Sequence, residues 1–168
     1  MTQQQNEPWV QDKEYTKYTL WFIYACIIYS IIGFSWGALM GGVAAFRAIV
    51  DSGVHGHRIV LAHTHINLLG WVEMAIFGAV YYLVPRLVRR PIFSMKLVKV
   101  HFWTHNLGLM GVVVFFTASG LTGVYIDGGE EAASRFMALG GIFGSIVLLA
   151  NIIWGYNIFR TCSGWEKV

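Results

Sequence analysis

Four of the six histidines in this chain fall within the stretch HGHRIVLAHTH, as His55, His57, His63 and His65. The last two stand at the mouth of Ala62–Leu87, AHTHINLLGWVEMAIFGAVYYLVPRL, which is otherwise apolar and of membrane length. A histidine in a bilayer is costly and is usually kept for metal or haem ligation, proton relay or pairing with a carboxylate. The remaining two, His101 and His105, are spaced i, i+4, so they share a helix face and can present two nitrogens to one pocket. Glu73 is the other costly residue. Near mid-membrane it should face the bundle interior or water, as a proton-handling group or as a hydrogen-bonded structural carboxyl.

The elements that carry these residues follow from composition. The chain has 168 residues, 56% of them hydrophobic and 12% charged, with a mean hydropathy of +0.55. Soluble domains carry about 25% charged residues, so this chain belongs to the membrane class and leaves no room for a soluble domain of ordinary size. The net charge of +3 does not point to nucleic acid, because the basic residues stand beside apolar spans. A spanning helix needs about 20 mostly apolar residues. Four segments qualify: Tyr18–Ile49, Ile59–Val84, Leu97–Tyr125 and Ala133–Phe159. The expected fold is an all-α integral membrane protein, a four-transmembrane-helix bundle over residues 18–160, with polar tails at 1–17 and 161–168. The N-terminal tail has no signal-peptide arrangement, so the first apolar segment is expected to persist as a span. Cys26 and Cys162 have neither zinc-type nor disulfide spacing and read as small buried apolar residues.

Four spans put both termini and the second connection on one side. That side holds nine of the twelve basic residues, from Lys13 and Lys17 through the Arg86–Lys99 connection to Arg160 and Lys167. Arg47, Arg58 and Arg135 lie opposite. The positive-inside rule then makes both termini cytoplasmic and points the HGHR loop outward, toward the periplasm in a bacterial inner membrane. Gly33, Gly37 and Gly41 in the first span, and Gly140 and Gly144 in the fourth, form rows that let helices approach closely, within this chain or with another. Trp9, Tyr15, Tyr18, Tyr81, Tyr82 and Trp165 suit an interfacial aromatic belt.

Topology sorts the histidines by depth. His63 and His65 lie at the outer end of span 2, while His101 and His105 lie at the inner end of span 3. Counting from the span midpoints separates His63 from His105 by about 24 Å along the membrane normal. That spacing separates an outer histidine site from an inner pair, and two histidines so far apart cannot bind one iron. His63 and His65 point about 200° apart around their helix, so only one faces a given pocket. His101 lies near the headgroups, where it is either solvated or functional. His105, one turn deeper, calls for a partner. The loop pair His55 and His57 could take copper or zinc together with His63 or His65. Asn67 lies one turn below His63 on the same face and could hydrogen-bond within its pocket, whereas Asn106 and Asn151 suit bridges between helices.

The segment HTHINLL…FGAVYYLVPRL resembles the second transmembrane helix of the catalytic subunit of C-type haem–copper oxidases and the related nitric oxide reductases. FSWGALMGGVAAFRA is similar to the glycine-rich first helix of that family, and HNLGLMGVVVFFTASGLTG to its third. The resemblance extends in order over about 140 residues, with the final span least distinctive. It implies that His63 is an axial ligand of the low-spin haem, on the outer side where topology also puts it. The resemblance also implies a family subunit of about a dozen helices, whose later helices carry the other haem ligands and the copper-binding histidines. His65, His101 and His105 are additional to the pattern.

The resulting expectation is a membrane b-type cytochrome-like subunit that binds haem b and transfers electrons, within a larger respiratory complex or a homo-oligomer. The second ligand would come from His65, from His55 or His57, or from another polypeptide, and His101 or His105 could hold a second haem on the inner side. The chain alone is not expected to reduce oxygen or nitric oxide. A cytochrome c or a quinol is the expected electron partner. The alternatives are a copper- or gas-binding membrane protein without redox turnover, and a haemless assembly subunit.

Overall fold

In the computed structural model, residues 12–163 are described. Among them, five α-helices and one π-helical stretch make four membrane-length rods, and a sixth, short α-helix lies between the first two. Helix α1 runs Lys13–Gly42, and its start is set by Asp12, whose Oδ1 accepts from the backbone N–H of Glu14 at 2.7 Å. Val43, in an extended conformation (φ −108°, ψ 112°), breaks the rod, and a short helix α2 follows at Ala44–Val50. The expected tail 1–17 thus already contains the first turn of α1, and the expected span to Ile49 is two helices. Gly41–Gly42 beside β-branched Val43 explains the break, since neither residue type favours a helix interior.

The second rod begins earlier than the periodicity suggested. Gly53, at φ 75°, turns the chain into α3, Val54–His65, so His55 and His57 are helical residues and not loop residues. The rod continues as a π-helix over Ile66–Val72 and as α4 over Glu73–Leu87. Helix α5 spans Met95–Tyr125, and α6 spans Glu130–Cys162. Trp9, Trp165 and Lys167 lie outside the described residues.

Half of the apolar window of α5 is buried, against 17% for α1 and for α6, so α5 is the central helix. It packs along α6 through glycines, where a Cβ at Gly111 would meet Phe143 Cδ1 at 2.0 Å. Most glycines of the small-residue rows serve contacts within this chain, since Gly33 faces Asn67, Gly37 faces His63 and Gly140 faces Phe116, whereas Gly41 has nothing within 4 Å. The second rod changes partner along its length, with α3 on α5 and the π stretch and α4 on α1. Phe22, Phe77, Tyr81 and Phe102 fill the inner half of the bundle. Tyr15, Tyr18 and Tyr81 are buried there and do not form an interfacial belt; Tyr82 is exposed. The inner connection is tied down by Asn157, which accepts from Ser94 N–H at 3.0 Å and donates to Ser94 O at 3.1 Å.

Candidate functional site

His63 sits on the last turn of α3, directly before the π stretch, and faces α1. Its ring approaches Trp36 with centroids 6.3 Å apart and lies against Gly37, where a Cβ would be 3.1 Å from Cε1. Asn67 Nδ2 donates to His63 O at 2.9 Å and lies 3.2 Å from His63 Nδ1. Asn67 in turn fits only because Gly33 has no side chain, since a Cβ there would fall 2.5 Å from its Oδ1. Among the described residues His63 Nε2 has no hydrogen-bond partner. Trp36 also lines an apolar cavity of about 480 Å³ among α1, α2, α3 and α5, walled by Leu39, Phe46, Ile49, Ile59 and Leu121, to which His63 itself does not contribute.

The other outer histidines diverge from it. His65 turns to α5, its ring edge-on to Phe116 at 5.3 Å, and its Nδ1–H donates to Leu61 O at 2.7 Å. Both ring nitrogens of His55 are engaged: Nε2 with Glu130 Oε1 at 2.7 Å and Nδ1 with Arg58 Nη1 at 3.2 Å. Arg58 also donates to Ser119 Oγ, which donates to Ala133 O, so this end of α3 is bolted to α5 and α6. His57 is exposed. No group of three or more His, Cys, Asp or Glu side chains among the described residues could hold a metal ion. The pair His55 and His57, which could have taken copper or zinc together with His63 or His65, is not brought to either ring, since His55 is bonded to Glu130 and Arg58 and His57 is exposed.

The inner pair is wholly buried. His101 and His105 are each 0% exposed, so His101 is not solvated at the headgroups. His101 stacks on Phe22 at 5.2 Å and meets Phe77 edge-on at 4.4 Å, which leaves no open face for a macrocycle. The Tyr81 hydroxyl lies 3.0 Å from its Nδ1. His105 Nε2 donates to Leu69 O at 3.1 Å and lies 3.7 Å from Glu73 Oε2. The register thus puts His105 level with Leu69 and Glu73, six to ten residues along the rod from His63, or about 9–15 Å. The expected 24 Å was too large because α5 and the second rod are staggered: His105, off the midpoint of α5, lies level with Leu69 and Glu73 at the middle of the second rod. Glu73 does face inward, with Asn151 of α6 beside it. Asn106 and Asn151 bridge helices as expected: Asn106 accepts from the Tyr29 hydroxyl at 2.7 Å, and Asn151 hydrogen-bonds Glu73 of α4 while its Nδ2 also donates to Val147 O in its own helix. Neither the π stretch nor the role of Tyr81 has a distinct sequence signal. A tyrosine near a span end reads as interfacial.

Comparison with known proteins fits this arrangement. The family described as "Cytochrome C and Quinol oxidase polypeptide I" matches residues 9–165. The chain belongs to this family. It is 29% identical over 159 residues to cytochrome c oxidase subunit 1 of Rhodobacter capsulatus, covering 84% of this chain and 29% of that protein. It is 32% identical over 139 residues to the cytochrome c oxidase subunit 1 homolog of Agrobacterium tumefaciens (strain T37), covering 70% and 25%. It is 24% identical over 151 residues to the Cbb3-type cytochrome c oxidase subunit CcoN1 of Stutzerimonas stutzeri, covering 80% and 31%. The chain therefore spans between a quarter and a third of the length of these relatives. Membership in the family relates its four membrane-length rods to polypeptide I of cytochrome c and quinol oxidases.

The outer site fits a haem in two respects. It offers an imidazole nitrogen without a partner, set against the side-chain-free surface of Gly37, and the buried Trp36 Nε1–H, which has no acceptor among the described residues. For Nε2 to carry its lone pair outward, Nδ1 must hold the proton, and a turned Asn67 amide would then accept it.

Proposed function

We propose that this chain is the four-helix haem-ligating unit of a respiratory membrane complex, with His63 as one axial ligand of a b-type haem on the outer side. The observation that carries the reading is the unpartnered His63 Nε2 against the side-chain-free surface of Gly37. A haem bound there supplies reversible one-electron transfer between ferric and ferrous iron. The chain's own contribution is to hold the ring through Asn67, to supply a flat apolar wall from α1, and to exclude water through Trp36 and Ile59. The opposite ligand comes from outside residues 12–163, since His55 is fully engaged, His57 and His65 face elsewhere, and His101 and His105 are enclosed. Oxygen or nitric oxide chemistry belongs to the assembled complex, with a cytochrome c or a quinol as electron donor. Both termini lie on the cytoplasmic side of a bacterial inner membrane. A thiol introduced at Asp127 should then react with an impermeant maleimide added from outside, and one at Lys96 should not.

One observation favours a second ligand assignment. His65 donates Nδ1–H to Leu61 O, which leaves its Nε2 as a lone pair, the tautomer a metal ligand needs. Pyridine haemochrome on the purified chain, with His63→Ala and His65→Ala side by side, decides between them. Loss of haem in the His63 variant alone is expected. Full haem retention by that variant would overturn the assignment. The chain by itself should give a five-coordinate spectrum, and a six-coordinate reduced α-band should appear only with the ligand-bearing partner.

A further inference from the structure

Helix α1 packs on the second rod and leaves a seam between itself and α5, which runs in the same direction. A cavity of about 550 Å³ occupies the inner half of that seam. It opens at Trp21 and Trp103 and ends at Ile32 and Met110. The helix rises about 16 Å from Trp21 to Ile32, close to half of a hydrocarbon core about 30 Å thick. The cavity therefore has the depth of one leaflet.

Its walls suit hydrocarbon. Ala25 and Ile28 line it from α1, and Phe102 and Met110 from α5. The polar side chains in its deeper part are Tyr29 and Asn106. The Tyr29 hydroxyl donates to Asn106 Oδ1 at 2.7 Å, and Asn106 Nδ2 donates to Phe102 O, so that depth calls for no polar ligand. A further transmembrane helix has no straight path along the seam, because α2 crosses its outer half. Phe46 and Ile49 of α2 line the next cavity together with Ile32 and Leu121.

The mouth has a different character. The Trp21 and Trp103 rings meet edge-on at 5.8 Å, and the Lys17 ammonium stands 4.5 Å from the Trp21 ring centre. The carboxylates nearby are taken, since Glu14 pairs with Lys99 and Asp12 caps α1. Lys17 thus has no carboxylate partner among the described residues. Tyr24 also lines the cavity and is 54% exposed, and its hydroxyl has no partner among the described residues. Helical side chains lean toward the N-terminus of their helix, so Tyr24 leans toward this mouth. A free cation above indoles and a phenol is an arrangement that receives a phosphate and the ester groups beneath it.

We propose that the inner half of the α1–α5 seam binds one anionic phospholipid. Lys17 holds the phosphate, Trp21 and Tyr24 meet the ester region, and one acyl chain lies along Ala25 and Ile28 as far as Met110. The uncompensated charge of Lys17 selects an anionic headgroup over one that carries its own ammonium. The lipid covers the apolar surface that α1 and α5 leave open, and its binding does not depend on a haem at His63.

The test uses the full chain purified in detergent, titrated with phosphatidylglycerol or with phosphatidylcholine of the same acyl chains, and read by native mass spectrometry. A one-to-one phosphatidylglycerol adduct should form in preference to the phosphatidylcholine one. Lys17→Gln should weaken it about fivefold, the attraction of one lysine for an anionic leaflet. Ile28→Trp, at a position 56% exposed, fills the cavity without entering the core and should abolish the adduct. Phosphatidylglycerol brominated at mid-chain should quench part of the tryptophan fluorescence of wild type, and Trp103→Phe should remove that quenched part. Equal binding of the two lipids, or an adduct unchanged by Ile28→Trp, would mean unselective coating of the surface and overturn the proposal. A second copy of the chain that Ile28→Trp displaces would overturn it as well, since a helix would then fill the seam.

Discussion

The imidazole of His63 lies directly against Gly37, so a first side-chain carbon at that glycine would stand 3.1 Å from Cε1 and 3.5 Å from Nε2. The contact is tight but not impossible for alanine, and it is closed to anything branched or longer. Gly37→Leu is therefore expected to turn the ring away from its present direction and to cover the face that a planar group would approach. Haem content by pyridine haemochrome should fall at least about tenfold, the loss typical of disturbing a ligand's support. The helical signal should stay unchanged, and full haem retention would sink the idea that Gly37 keeps that face open.

Asn67 holds His63 from the next turn, with its Nδ2 2.9 Å from His63 O and 3.2 Å from His63 Nδ1. A ligand imidazole needs an acceptor at its Nδ1–H, and an amide can supply one by turning over. Asn67→Leu should therefore weaken haem binding by about 10–100-fold, while Asn67→Asp, which can only accept when ionised, should retain it. The comparison is read by haem titration of the two variants. Equal loss in both would show that Asn67 merely fills the space left by Gly33.

The four-rod architecture was legible because twenty-residue apolar segments have few alternatives in lipid. The inward face of Glu73 followed from the cost of a carboxylate in hydrocarbon. What could not be read was register. An apolar run carries no mark of where its helix begins, so the extension of the second rod to Val54, which makes His55 helical, left no sign in the sequence. Nor does it mark how two rods are staggered, and it is that stagger that brings His105 level with Leu69 and Glu73. The π-helix at Ile66–Val72 is likewise silent in sequence, being a matter of which carbonyl each N–H finds. Tyr81 resembled any tyrosine at a membrane edge until its packing against Phe22 and its bond to His101 were visible.

Tyr29 and Asn106 join α1 to α5 by a 2.7 Å hydrogen bond, while Asn106 also donates to Phe102 O at 2.7 Å. Few other polar contacts hold α1 to the central helix. Tyr29→Phe should remove this bond without altering the packing of the ring against Gly70. Interhelical hydrogen bonds in bilayers contribute about 0.6 kcal/mol on average and at most about 1.7, so the expected destabilisation lies in that range. Reversible unfolding in mixed micelles measures it. A loss of several kcal/mol would mean that the tyrosine hydroxyl does more than bridge two helices.

Two glycines should respond oppositely to enlargement. At Gly111 a Cβ would overlap Phe143, 2.0 Å from Cδ1, and the α5–α6 contact has no slack because Gly108 meets Val147 at 2.8 Å in the same way. At Gly41 nothing lies within 4 Å. Gly111→Leu must therefore push α6 off the central helix, a steric cost beyond the roughly 1–3 kcal/mol usual for overpacking. Gly41→Leu should be neutral or slightly stabilising, since it replaces a poor helix former with a good one. Thermal unfolding of the two variants in the same detergent orders them directly. If Gly41→Leu destabilises the purified chain as much as Gly111→Leu, the open space at Gly41 is wrong and the steric ordering of the two glycines fails.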